Sequence, residues 1–381
     1  MRITAVETIQ FSRGVTVHAG PIRWLWVRIH TDSGLSGLGE TYPRPRSEAA
    51  VIHEALAPVL LGRDPSAIDR LWTDMFAAVS YSGWGGAEMR AISAVDIALW
   101  DLAGKVLGVP AYQLLGGAAR ETIPTYNTCY DRIDFLTEPV RLARSLMADG
   151  IHAMKIWPFD PVALASGGQR LTPGELRQGL EPLRLIRQEV GDEMEVALEF
   201  HGYWSLPAAE QIARAAEPLA PMWLEEMLPQ DNLAAYRELA AATRIPLCLS
   251  ERLMTRWQYR ELIENRAVRI AMPDLAWCGG FSEARRIADL ASLLYVPVAP
   301  HNCGGPVLHF ASLHFGAAVR NLHSVESVRR HYGEEYDGLV TAMMRPCEGT
   351  FSLPPGPGLG IELSPGVLES PDALVERSPG S

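Results

Sequence analysis

Paired cysteines are missing from this sequence: its five, Cys129, Cys248, Cys278, Cys303 and Cys347, are odd in number, widely spaced and without a CxxC. Neither a disulfide framework nor a cysteine zinc cluster is expected, and a reducing cytoplasm is the default compartment. Long apolar runs are missing too, and the opening MRITAVETIQF has no apolar leader, so neither a membrane span nor an export signal is expected. Cationic excess is absent: the net charge is −11 and its charges are of mixed sign, which argues against a nucleic-acid or anionic-membrane partner. No HExxH, GxSxG or phosphate-loop pattern occurs. The glycines of residues 356–360 alternate with proline and lead into no helix, so they read as a turn rather than a nucleotide loop.

What is present is a chain of 381 residues, 48% hydrophobic and 21% charged, long enough for two domains or one barrel with additions. Residues 1–120 read as a separate α+β unit. Strands are expected at 3–11 and 24–29, and a helix at 88–106, where Ile92, Val95, Leu99 and Leu102 form one apolar stripe before the stop signal Gly108-Val109-Pro110. From Thr122 the texture changes to short β-rich runs alternating with amphipathic helices such as 173–189 and 282–294. The runs begin near Ile123, Ala153, Glu195, Met222, Leu247, Val268, Val296 and Leu322. Eight such units over 121–345 predict an α/β fold of the (β/α)-barrel type, a modified TIM barrel with a poorly marked eighth helix. The tail, 346–381, with a strand-like Ile361-Glu362-Leu363, is expected to fold back onto the first unit.

A polar residue follows each of several apolar runs: Lys155, Glu199 with His201, Glu225, Glu251, Asp274, His301 and Glu326. From Glu199 to Glu326 the steps are 26, 26, 23, 27 and 25 residues, about one βα unit each, so all should point into one barrel mouth. Glu199, Glu225 and Glu251 would be neighbours, and three adjacent carboxylates repel unless a cation compensates them. An all-oxygen set suits Mg²⁺ better than zinc. Asp274 and His301 end consecutive strands, so the carboxylate can accept an imidazole N–H and leave the other ring nitrogen to act as a base. His201 lies two residues beyond Glu199 and therefore on the same side of its strand.

The segments SAVDIALWDLAGKVLGVPAYQLLGG, LEFHG, WLEE, SERL, PDLAWCGG and GPGLGIEL together resemble the mandelate racemase subgroup of the enolase superfamily over nearly the whole chain. Within it, FHG and the His301–Asp274 pair are most similar to galactonate dehydratase and related acid-sugar dehydratases. The resemblance implies that residues 1–120 cap the barrel and that the tail completes the cap. It assigns Glu199, Glu225 and Glu251 to one Mg²⁺ per subunit, His301 and Asp274 to the base dyad, and His201 to the general acid. Glu326 becomes a protonated hydrogen-bond donor near the substrate carboxylate, and Lys155 a charge stabiliser. Symmetric homo-oligomers are implied as well.

Three positions depart from the family pattern. Glu199 stands where aspartate is usual, and its extra methylene adds roughly 1.5 Å of reach. Met227 replaces a proline. Trp157 replaces the second lysine of a Lys-x-Lys pair, and an indole cannot take a proton. Losing that second base disfavours racemisation and favours β-elimination of water from a sugar acid. Epimerisation or cycloisomerisation of a related carboxylate, and a non-catalytic binder of a sugar acid, are the alternatives. Specificity segments are expected at 15–21, at Tyr81-Ser82-Gly83-Trp84 and at Trp157-Pro158-Phe159.

Overall fold

The computed structural model describes residues 1–17 and 20–380. The first strands are longer than expected: β1 (Ile3–Val17), β2 (Gly20–Thr31) and β3 (Ser36–Thr41) form an antiparallel meander, to whose free edge the C-terminal strand Ala373–Pro379 is added. Residues 18 and 19 lie outside the described residues, and the reading of 15–21 as a mouth segment lies outside them with it. The helix Ala87–Leu107 packs under this sheet and stops at Gly108, whose φ of 69° is the left-handed cap that the sequence predicts. Gly37 and Gly39 of β3 sit so close to the carbonyls of Ala98 and Ala94 that a Cβ at either would collide with helix backbone.

Seven parallel strands follow: β4 (Thr122–Thr128), β5 (Ala153–Ile156), β6 (Glu195–Glu199), β7 (Leu224–Glu225), β8 (Leu247–Leu249), β9 (Ile270–Ala271) and β10 (Val325–Ser327), in the order β10-β4-β5-β6-β7-β8-β9. The run expected near Val296 is not a regular strand. It survives as single bridges, Ala271 to Val298, Val298 to Leu322 and Asp274 to His301, which join β9 to the stretch leading into β10. Pro297 and Pro300 lack N–H groups, so these two residues join the ladder only through their carbonyls, which accept from the amides of Ala271 and Glu326. The eighth helix is replaced by a five-residue π-turn, His331–Glu335. Short strand β11 (Thr350–Ser352) pairs antiparallel with β4, whereas Ile361-Glu362-Leu363 contributes only the bridge from Leu363 to Val340. The glycine-rich 356–360 stretch is a turn, with Leu359 N–H bound to Asp101 at 2.7 Å.

Two buried carboxylates of the first unit grip N-termini of barrel helices. Glu40 accepts from the amides of Gly305 and Val307 at the start of Pro306–Ala318, and burial pushes its pKa up to about 7. Asp96 accepts from the Ser282 amide at 3.0 Å and hydroxyl at 2.5 Å in the first turn of Gly280–Leu293, and burial likewise raises it to about 7. These joints seat the antiparallel sheet and its helix over the barrel, where Tyr42, just beyond β3, reaches the strand ends.

Candidate active site

A cavity of about 390 Å³ opens at the C-terminal ends of the parallel strands, its wall including Lys155, Glu199, His201, Glu251 and His301. Each is there because alternation along a strand turns its side chain inward at the last pleat or the bend after it. Asp274, Glu225 and Glu326 lie directly behind this wall, fully buried.

Lys155 is the node. Its Nζ contacts Glu225, lies 2.9 Å from Glu326 Oε1 and 3.4 Å from Glu199 Oε2, and is itself buried. Burial opposes the ammonium, but Glu225, Glu326 and Glu199 outweigh it and hold the pKa well above the ordinary lysine value. Glu326 is held further by the Thr128 hydroxyl and by the Asn302 amide at 2.8 Å. Burial would raise its pKa, yet Lys155 and His301 bring it down to about 2. The ammonium 2.9 Å from its Oε1 thus favours the anionic form of Glu326 over the protonated one expected above.

His301 Nδ1 lies 2.8 Å from Asp274 Oδ2, and its Nε2 lies 3.8 Å from Glu326 Oε2. Burial disfavours the imidazolium, but Glu326, Cys303 and Asp274 push the pKa well above the usual histidine value. Asp274 is fixed in turn by the Ala276 amide at 2.7 Å and by the Tyr42 hydroxyl, which donates to Oδ2 at 2.6 Å and stands 3.3 Å from His301 Nδ1. Burial and Asp274 keep that phenol protonated. Tyr42 was not foreseen, since nothing in the spacing of barrel strands points to a residue of the first sheet.

His201 has its own carboxylate, Asp160, at 2.7 Å from Nδ1, also unforeseen because it opens the short helix Asp160–Ser166 that follows β5. Burial lowers this imidazole, while Glu199 and Asp160 raise it past that effect. Trp157 packs edge-on to His201 with ring centres 6.2 Å apart and to Phe135 at 4.7 Å, walling the cavity as expected. The 81–84 segment does not line it: Tyr81 is fully exposed and Trp84 packs on Phe76 at 5.9 Å.

Glu199 and Glu225 touch one another; burial and Glu199 push Glu225 well above the carboxylate range, while His201 and Lys155 hold Glu199 below it against burial. Two touching carboxylates thus share one proton, whose place a cation can take. Glu251 stands apart, with Oε1 3.3 Å from Arg252 Nε and with Oε2 buried and lacking a hydrogen-bond partner. Glu226, φ 49°, is buried beside it with neither oxygen in a hydrogen bond, and burial followed by Glu251 pushes its pKa well up. Five buried glutamates around Lys155 and Arg252, oxygen donors and an orphaned Glu251 oxygen together fit a hard divalent cation. The three expected ligands do not, however, all come within 4.8 Å of one another; among the described residues that closeness is reached by His301, Cys303 and Glu326.

Residues 4–116 match the family described as mandelate racemase / muconate lactonizing enzyme, N-terminal domain, and residues 138–367 match enolase C-terminal domain-like proteins. D-galactonate dehydratase from Xanthomonas oryzae pv. oryzae is 32% identical over 95% of this chain and 94% of that protein. The protein of the same name from Ralstonia nicotianae is 33% identical over 96% and 93%. Among solved structures, an enolase of the mandelate racemase subgroup from Agrobacterium tumefaciens is 42% identical, covers 100% of this chain and 99% of its own, and superposes with a TM-score of 0.91. A putative dehydratase from Salmonella enterica, 32% identical over 98% and 99%, gives the same score.

Proposed function

This chain belongs to the mandelate racemase / muconate lactonizing enzyme family of the enolase superfamily, and from that premise we propose that it is a Mg²⁺-dependent hydro-lyase that dehydrates a sugar acid. The observation that carries the reading is the pair of imidazole–carboxylate units facing one cavity, His301 with Asp274 and His201 with Asp160. One supplies a base and the other an acid, and Trp157 stands where a second base would be needed to invert a carbon. The names of the relatives at 32% and 33% identity support the same chemistry.

With Nδ1 committed to Asp274, His301 Nε2 takes the α-proton at C2 of the substrate carboxylate. The C–H electron pair becomes the C2=C3 bond as the C3–O bond breaks, and His201 delivers its proton to the departing hydroxyl, which leaves as water. The resulting enol tautomerises to a 2-keto-3-deoxy acid. Lys155 faces the charge that grows on the carboxylate oxygens, and Glu326 holds Lys155 in place. Glu199, Glu225 and Glu251 would hold the cation, which supplies positive charge to the same oxygens as C2 loses its proton. Under this proposal residues 121–345 are the catalytic unit, 1–120 the cap and 346–381 its completing segment. The enzyme works in the cytoplasm as a homo-oligomer with one Mg²⁺ per subunit. No helix among the described residues is long and apolar enough to cross a membrane.

The test is a panel of sugar-acid stereoisomers incubated with enzyme and Mg²⁺ and assayed for 2-keto acids, with His301→Asn and a chelated sample as controls. A keto product that needs both His301 and the metal is expected. Mass-neutral conversion, or binding without turnover, would count against dehydration.

A further inference from the structure

Beyond the oxygen-rich set, a second group of potential ligands faces the same cavity and is chemically different. His301, Cys303 and Glu326 bring one ligand atom each to within 4.8 Å of one another. Each neighbour approaches a different oxygen of Glu326: His301 Nε2 lies 3.8 Å from Oε2, and Cys303 Sγ 3.7 Å from Oε1. A tetrahedral zinc ion with bonds of roughly 2.0–2.3 Å has ligand-to-ligand edges of about 3.3–3.6 Å. Closing around such an ion from separations of up to 4.8 Å asks a movement of roughly an ångström along the longest edge. Asp274 occupies His301 Nδ1, which leaves Nε2 facing Glu326 in the manner of a carboxylate–histidine–zinc unit. Cys303 is only half-buried and lines the cavity, so a fourth position faces solvent.

We propose that His301 Nε2, Cys303 Sγ and Glu326 form a second metal site selective for a thiophilic divalent cation such as Zn²⁺, which on binding would capture the imidazole and switch the enzyme off. Sulfur sets the selectivity. A hard ion gains little from a thiolate and meets repulsion from Lys155, 2.9 Å from Glu326 Oε1, whereas the zinc–thiolate bond offsets that repulsion. One cavity thus offers a hard, all-oxygen set at Glu199, Glu225 and Glu251 and a soft set that meets it at Lys155, whose ammonium contacts Glu199, Glu225 and Glu326. The inhibitory consequence rests on His301 being the base; the binding does not.

Co²⁺ serves as the visible probe, added to the full chain at saturating Mg²⁺ in a Cys347→Ser background that removes the exposed thiol. The proposal predicts a near-ultraviolet thiolate-to-cobalt charge-transfer band that saturates at one equivalent, is displaced by Zn²⁺ and is lost in both Cys303→Ser and His301→Asn. Zinc affinity should fall at least about tenfold in Cys303→Ser. No band, a band that survives Cys303→Ser, or unchanged zinc affinity in that variant would overturn the site. The band reports binding even if no sugar acid is ever turned over, so failure here and failure of the dehydratase reading are separable.

Discussion

The two imidazoles of the cavity touch their carboxylates at nearly the same distance, 2.8 Å for His301 and 2.7 Å for His201, yet they are held in different ways. His301, its side chain 10% exposed, is bridged through its backbone to Asp274, which Ala276 and Tyr42 pin from the barrel and the first sheet. His201, 34% exposed, sits at φ 52° on the bend after β6, its amide tied to Glu199 and its carbonyl to Arg252. The lesson is that rigidity is concentrated where a proton leaves carbon, the step most sensitive to geometry. Freedom is left where an acid must follow a departing hydroxyl.

Breaking the stiff side should cost most. His301→Asn removes the base and is expected to lower kcat/KM about 10²–10⁴-fold or more on the best substrate of the panel, measured with Mg²⁺ saturating. Removing the acid with His201→Asn should cost about 10²-fold in kcat, the lower end of the same range, because a mobile acid can be replaced in part by water. Tyr42→Phe takes one charge-assisted hydrogen bond from Asp274, of the kind worth about 1.5–3 kcal/mol. Felt only in part at the reacting carbon, the loss should lower kcat about tenfold and leave KM unmoved, as befits a positioning residue.

The smallest effect is in the pH profile, and it sharpens the contrast most. His301 is raised well above the ordinary histidine value, so its basic form grows as pH rises and kcat/KM should climb with it. His201, also raised, must keep its proton, so activity should fall once it titrates. A bell is expected in the wild type, and the His201→Asn variant should lose the alkaline limb alone. Loss of the acidic limb instead would reverse the two assignments.

These two sides of the cavity were unequally legible in the sequence. The regular steps from Glu199 to Glu326 located the barrel mouth and His301 with Asp274, because each βα unit returns the chain to the same end of the sheet. That rule is silent about residues beyond the strand ends and in other domains, so Asp160, at the start of the helix after β5, and Tyr42, beyond β3, were missed. WLEE and SERL contain Glu226 and Arg252, but nothing in the spacing singled out either residue or said that both would crowd Glu251. The seventh strand dissolved for a reason already visible in VPVAPH: two prolines cannot donate to a ladder. The charge state of Glu326 was unreadable, since it depends on an ammonium delivered from another strand.

The asymmetry is tested most directly by following the C2 hydrogen of the identified sugar acid in D₂O, by NMR, in the two histidine variants with Mg²⁺ present. If His301 alone removes the proton, His201→Asn still washes deuterium into C2 of unreacted substrate while His301→Asn does not. Exchange that persists without His301, or that vanishes with His201, contradicts the account.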